Sequence, residues 1–452
     1  MRHYISREIQ AHCLKRLETG LITAISGARQ VGKTTLLMNI GEVVAQRGIV
    51  SKERVYYYSL DDPLLRAELK TDFRFFEKEI EKSLGEQISK IKKPILLMID
   101  EAQKSPDIFD WLKIIYDNYH EKVKIIISGS SSLGIRKKST ESLAGRITFL
   151  KMFPLTIREL IQDATGVSLP KESLWCNIPK KRIKDFFNFR QSLLYRYNNI
   201  LDKLLEKILL EGSLPGVYIS GSREEKYLRL SSIIETYLER DIRILMEVGS
   251  LDDYSNLLKI LSFEVGSIFN LNSISRDLGI AYNTVKKYIS VLKDTYILNS
   301  LSPLFVKARK RFVKSNKIYF FDVGVANYLS KRTEKEHIKG NQGGFLFENI
   351  LLKSFESENE NRPLPANIHF WRDYQGHEID FVFEDSLGRW IPVEVSLSKN
   401  LPTGKKKNFD AFFQFTPMGK ESPFGIFIYR GDLKEEKLNG KTIYLIPWWF
   451  WW

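Results

Sequence analysis

The stretch Gly27-Ala28-Arg29-Gln30-Val31-Gly32-Lys33-Thr34-Thr35 constrains this chain more than any other feature. It reads GxxxxGK[ST] between a strand-like run, LITAIS, and the helical pattern TTLLMNIGEVVAQ. Glycines let such a loop wrap a phosphate group closely, so that backbone N–H groups and a helix N-terminus face the anion. The job requires strand, tight loop and helix in that order, which is the order of a parallel sheet with crossover helices. All nine residues are therefore candidate ATP contacts, with Lys33 on the β- and γ-phosphates and the Thr34 hydroxyl on Mg²⁺.

Three further apolar runs of strand length follow, VYYYSL (55 to 60), ILLMID (95 to 100) and KIIISG (124 to 129). Their composition predicts strands buried on both faces. ILLMID ends in Asp100-Glu101, and ligands bind at the C-terminal edge of such sheets. Asp100 is the expected second holder of Mg²⁺, and Glu101 the general base that polarises the attacking water. KIIISG runs into Ser130, a candidate γ-phosphate sensor, although turn-forming serines read the same way. Arg146, in ESLAGRI, is the candidate that stabilises charge on the transferring phosphoryl group, placed in a neighbouring subunit of a homo-oligomer. A plain surface arginine is the alternative there.

The chain has 452 residues, too many for one small domain and enough for about three. Lys and Arg number 69 against 55 Asp and Glu, a balance of +14 that favours an anionic partner, DNA first. With only Cys13 and Cys176, a disulfide framework or cysteine-rich zinc site is excluded, and a reducing, cytoplasmic setting is expected. The longest apolar run, IYLIPWWFWW, falls short of the roughly 20 residues needed to span a bilayer. It reads as a last strand plus an aromatic plug, and no membrane association is expected.

Residues 271 to 293, LNSISRDLGIAYNTVKKYISVLK, divide into two helical patterns around Gly279, which is helix-turn-helix spacing. Ile274, Leu278, Val285, Ile289 and Leu292 read as the core face, leaving Tyr282, Asn283, Lys286 and Lys287 outward for groove or phosphate contact. The following KARKRFVKSNK, Lys307 to Lys317, contains Arg309, Lys310 and Arg311 and reads as a basic wing on phosphate. Protein docking by the same element is the alternative reading.

The series GARQVGKTT, ILLMIDEAQ, ISGSSS, ESLAGRI, FPLTIREL, EGSLPG, YLERDI, NTVKKYISVL, KIYFFDVGV, GGFLFEN, EIDFV and PVEVS resembles the AAA+ ATPases of bacteria and archaea whose C-terminal domain carries a restriction-endonuclease-like pattern. The resemblance spans nearly the whole chain. It implies an α/β protein with a P-loop AAA+ parallel-sheet domain (1 to 155), a helical lid or connector (156 to 255), a winged helix (256 to 330) and a mixed α/β nuclease-like domain (331 to 452). It also implies a second Mg²⁺ site at Glu348, Asp380 and Glu394, with a lysine two residues beyond the last acid to position water. Ser396 stands at that position, so cleavage is expected to be weak or absent, with Lys399 the nearest substitute. Read singly, Glu348 is equally a solvated helix acid and Asp380 a turn acid.

Three functional readings follow. The first is an ATP-driven switch coupled to DNA contact. The second is a signalling or scaffold ATPase that docks other proteins, and the third an ATP-gated Mg²⁺-dependent endonuclease.

Overall fold

The computed structural model describes residues 4–130, 142–170, 173–177, 185–188, 191, 195–243, 250–304, 316–360, 362, 364–385 and 387–452. These fall into two compact units, residues 1–154 with 291–297, and residues 155–290 with 298–452.

The first unit is built on a parallel sheet of β1 (Ile22–Ser26), β2 (Val55–Ser59), β3 (Ile95–Asp100), β4 (Val123–Gly129) and β5 (Ile147–Lys151), in the order β2-β3-β4-β1-β5. Interior strands β1 and β3 are buried along their whole length, as strands covered on both faces require. The tyrosine-rich β2 departs from the expectation of full burial: every residue in it is half-buried. It forms one edge of the sheet, where one flank has no neighbouring strand and tyrosine rings keep their hydroxyls near water. Register matters more for function. Ser26 of β1 pairs with Gly129 of β4, and Ser59 of β2 with Asp100 of β3, so the residues following β1, β3 and β4 emerge at one sheet edge.

The second unit contains a mixed six-stranded sheet ordered β12-β13-β11-β10-β9-β8. Its strands are β8 (Ile368–Arg372), β9 (Glu378–Glu384), β10 (Trp390–Val395), β11 (Phe424–Tyr429), β12 (Lys434–Leu438) and β13 (Lys441–Pro447). Two helices pack on it through aromatic residues. Phe355 of Gly340–Glu360 meets Phe381 and Phe383 of β9 at ring distances of 5.4 and 5.1 Å, and Phe412 of Thr403–Phe415 meets Trp371 of β8 at 5.4 Å. The terminal Trp448 to Trp452 is a buried plug, with Trp451 against Phe355 and Phe383. Each such ring contributes stabilisation of order 2–3 kcal/mol by leaving water.

The same unit carries the helices Leu251–Phe263 and Leu271–Leu278 and most of Tyr282–Asp294. They are followed by the antiparallel pair β6 (Leu298–Leu301) and β7 (Lys317–Phe320). Gly279, at φ 67°, ends Leu271–Leu278 in the left-handed conformation that closes helices without a Cβ penalty. Arg309, Lys310 and Arg311 lie outside the described residues. Lys317, the last cation of the expected wing, is corrected by the structure: it is fully buried in β7 and pairs with acids. Cys13 is buried, which pushes its thiol up to about 12 and leaves it inert at neutral pH. Among the described residues no helix is long and apolar enough to cross a membrane.

Candidate functional site

The loop after β1 folds as its glycines dictate. A Cβ on Gly27 would lie 2.3 Å from the Met152 carbonyl oxygen, and Gly32 has φ 97°, so both positions need glycine. The helix Lys33–Gln46 starts directly after Gly32 and directs its free N–H groups towards the loop. Lys33 is buried and donates to the Gly27 and Ala28 carbonyl oxygens at 2.9 and 2.8 Å. Burial lowers its pKa to about 8, against the opposing pull of Glu101 and Asp100. Arg7, from the first described helix region, donates to the Val31 and Phe153 carbonyls at 2.7 and 2.6 Å and so braces the loop.

Opposite the loop, Thr34 Oγ1 donates to Asp100 Oδ2 at 2.6 Å, and Tyr57 Oη donates to the same oxygen at 3.1 Å. Ser128 Oγ holds Asp100 Oδ1. A hydroxyl and a carboxylate oxygen this close are a hard-oxygen pair of the type magnesium takes, so these residues fit the expected ion. Glu101 sits at φ 54°, a left-handed conformation unusual for a residue with a side chain. Its Oε2 accepts from Gln103 Nε2 at 2.6 Å and from Ser130 Oγ at 3.3 Å. Lys33, Thr34, Asp100, Glu101 and Ser130 thus converge at one sheet edge.

Arg146 is engaged elsewhere in its own chain, donating to both Asp117 oxygens at 2.6 and 3.1 Å. Sequence reasoning missed Arg7, Tyr57 and Gln103. Gln103 alone carried a local signal, since it follows the acid pair by two residues. A further missed residue is Tyr296, at φ 63°, whose hydroxyl donates to Ser26 Oγ at 2.9 Å, immediately before the loop.

The second unit gathers Glu348, Asp380 and Glu394, all buried, together with Glu378. Two lysines sit among them. Lys405 Nζ lies 2.7 Å from Asp380 Oδ2 and 2.5 Å from Glu394 Oε2, while Lys317 Nζ lies 2.8 Å from Glu348 Oε1 and 2.5 Å from Glu378 Oε1. Asn408 Nδ2 donates to Glu394 Oε1 at 2.8 Å, and Tyr319 Oη to Glu348 Oε1 at 2.5 Å. Burial raises Glu348 to about 7 and Glu394 well above the carboxylate range; Asp380, despite burial, is drawn down to about 2 by Lys405. Ser396 Oγ turns to Ser398, and Lys399 is exposed, so the ammonium on this acid pair is that of Lys405. Among the described residues no group of three or more His, Cys, Asp or Glu side chains is arranged to hold a metal ion.

On the helix Tyr282–Asp294, Tyr282, Asn283 and Lys286 are exposed and Lys287 is half-buried.

Three family models match the chain: an AAA domain over residues 19–161, a domain of unknown function (DUF8612) over 202–336, and a domain of unknown function (DUF4143) over 343–451. An uncharacterized protein of Mycobacterium tuberculosis is 25% identical over 390 residues, covering 86% of this chain and 73% of that protein. An uncharacterized protein of Haemophilus influenzae is 22% identical over 309 residues, 67% of each chain. Among solved structures, AMPPCP-bound DnaA from Aquifex aeolicus matches with a TM-score of 0.27 and 16% identity, over 73% of this chain and 95% of that one. Residues 19–161, which hold the phosphate loop, the paired acids and the parallel sheet, match an AAA domain.

Proposed function

We propose that the chain is an ATP-hydrolysing switch whose nucleotide cycle is coupled to DNA contact. The observation that carries the coupling is Tyr296. It follows the helix Tyr282–Asp294, belongs with the nucleotide-binding unit, and hydrogen-bonds the last residue of β1 before the phosphate loop. The other end of that helix carries the exposed Tyr282, Asn283 and Lys286. A change in the loop on nucleotide binding therefore has a bonded route to a cationic helix surface.

In this reading Lys33 leaves the two loop carbonyls for the phosphates, and the loop N–H groups orient the chain of phosphates. Thr34 and Asp100 hold magnesium, which when bound neutralises phosphate charge. Glu101 takes the proton of the attacking water, with Gln103 and Ser130 fixing its carboxylate. Arg146 acts across a subunit boundary in a homo-oligomer, leaving Asp117 to do so. The helices Leu251–Phe263, Leu271–Leu278 and Tyr282–Asp294 followed by β6 and β7 have winged-helix order, which supports a groove-facing role for Asn283, Lys286 and Lys287.

The deciding experiment is ATP turnover with and without duplex and single-stranded DNA, alongside DNA binding at rising salt. Stimulation by DNA and salt-sensitive binding support the coupling. Turnover indifferent to DNA, with no DNA bound at low salt, favours the docking-ATPase reading.

A further inference from the structure

We propose that the acidic centre of the second unit is closed by lysine ammonium groups in place of a divalent cation, with the decisive cation carried in by the helix Thr403–Phe415. The resemblance to restriction-like nucleases implies a metal bridging the acids on β9 and β10. The residues present do not fit that ion.

The two oxygens that would share it, Asp380 Oδ2 and Glu394 Oε2, converge on Lys405 Nζ at 2.7 and 2.5 Å. Asp380 Oδ2 accepts additionally from the Val395 backbone N–H at 2.8 Å, and Glu394 Oε1 from Asn408 at 2.8 Å. Three of the four oxygens of this pair thus already face N–H donors. Magnesium needs bare oxygens at about 2.0–2.1 Å in octahedral array, so it competes with Lys405 for the same two atoms. Glu348, the third acid, is committed separately: its Oε1 faces Lys317 Nζ and Tyr319 Oη from β7.

The arrangement also answers where the lysine missing at Ser396 has gone. Lys405 and Asn408 stand one helical turn apart on Thr403–Phe415 and both reach Glu394, so they reach it together or not at all. An ammonium supplies one positive charge without the vacant coordination positions that activate water at a metal. The centre is then a charge clamp that fastens β7, Gly340–Glu360 and Thr403–Phe415 to β9 and β10. This inference stands on the second unit alone and does not depend on the ATP reading.

The test uses the full chain without nucleotide and Mn²⁺ as probe, counted by electron paramagnetic resonance. Wild type and Asp380→Asn are expected to bind equal amounts of Mn²⁺ up to about 1 mM, the weak end of protein cation sites. Lys405→Met is expected to gain one Mn²⁺ per chain, lost again in the Lys405→Met, Asp380→Asn double variant. A Mn²⁺ bound by wild type and lost in Asp380→Asn overturns the proposal, and so does a folded Lys405→Met chain that gains none. Should the Lys405 variant not fold, calorimetry of the wild type decides. The proposal requires the unfolding of the second unit to be the same in EDTA and in Mg²⁺, and an Mg²⁺-dependent rise that Glu394→Gln abolishes overturns it.

Discussion

Thr34 Oγ1 donates a 2.6 Å hydrogen bond to Asp100 Oδ2, joining the first turn of the helix after the phosphate loop to the end of the central strand β3. The two oxygens that the proposed mechanism assigns to magnesium already touch, and Tyr57 and Ser128 fix the carboxylate between them. The acid proposed to hold the ion is thus already oriented by its neighbours, and preorganised polar groups cost little reorganisation when charge develops.

That division of labour separates two substitutions. Lys33→Ala is expected to weaken ATP binding and abolish turnover together. Glu101→Gln keeps ATP binding but slows hydrolysis by about 10²–10⁴, the usual worth of a general base. Equilibrium binding of a fluorescent ATP analogue beside steady-state phosphate release checks both, and normal turnover in either variant removes the assignment.

Lys33 also makes ATP binding pH-dependent. Burial holds the Lys33 pKa at about 8, well below the usual lysine range, whereas phosphate contact favours the ammonium. Affinity is therefore expected to fall as pH rises above about 8, with proton uptake on binding. The sign for stability runs the other way. The unfolded chain binds more protons at Lys33 between about 8 and 10.5, so this residue's burial penalty is full below that window and fades as pH rises through it. Titration calorimetry in buffers of different ionisation heat measures the uptake directly.

Arg146→Ala is expected to leave ATP affinity nearly unchanged while removing most turnover, since an arginine finger acts on the transition state. Mixing Arg146→Ala with Glu101→Gln chains should restore part of the activity at composite sites. Mixed oligomers that stay inactive would assign Arg146 to its pairing with Asp117 alone.

Gly212 has φ 78°, and a Cβ there would fall 2.0 Å from Asp322 Oδ1 and 2.6 Å from the Gly324 backbone nitrogen. Asp322 in turn accepts from the Ser213, Gly324 and Val325 backbone N–H groups. Gly212→Ala and Asp322→Ala should each destabilise the second unit by about 2–4 kcal/mol, by overpacking in one case and by orphaned buried donors in the other. Urea unfolding monitored by tryptophan fluorescence measures the loss, which should leave the nucleotide unit's transition in place.

For DNA contact, Lys286→Glu with Lys287→Glu is expected to weaken binding at low salt and to reduce the slope of log affinity against log salt by about 2, roughly 0.9 per lost phosphate contact. Charge reversal at Arg309, Lys310 and Arg311 should lower it further. An unchanged slope in both variants rejects this surface as the phosphate contact.

The parts of the molecule legible in the amino-acid order are those whose chemistry is local. A phosphate loop needs glycines, lysine and threonine within nine consecutive positions, a buried parallel strand needs an unbroken apolar run, and a helix-turn-helix pair needs apolar residues at helical spacing around a glycine. GARQVGKTT, ILLMIDEAQ and residues 271 to 293 carry those patterns openly. The three acids of the C-terminal unit, Glu348, Asp380 and Glu394, are reached only through the resemblance carried by GGFLFEN, EIDFV and PVEVS, because read singly they are a helix acid and strand acids like any others.

What stayed hidden was which cation meets which acid. Lys405 lies in a run of three lysines that carries no motif, and Lys317 ends a basic stretch that reads as a wing. Folding brings the first beside Asp380 and Glu394 and the second beside Glu348 and Glu378. An ion pair between distant positions leaves no periodicity behind it. Only the packing of Thr403–Phe415 and β7 against the sheet brings these two ammonium groups, Lys317 fully buried and Lys405 half-buried, onto buried carboxylates that keep them charged.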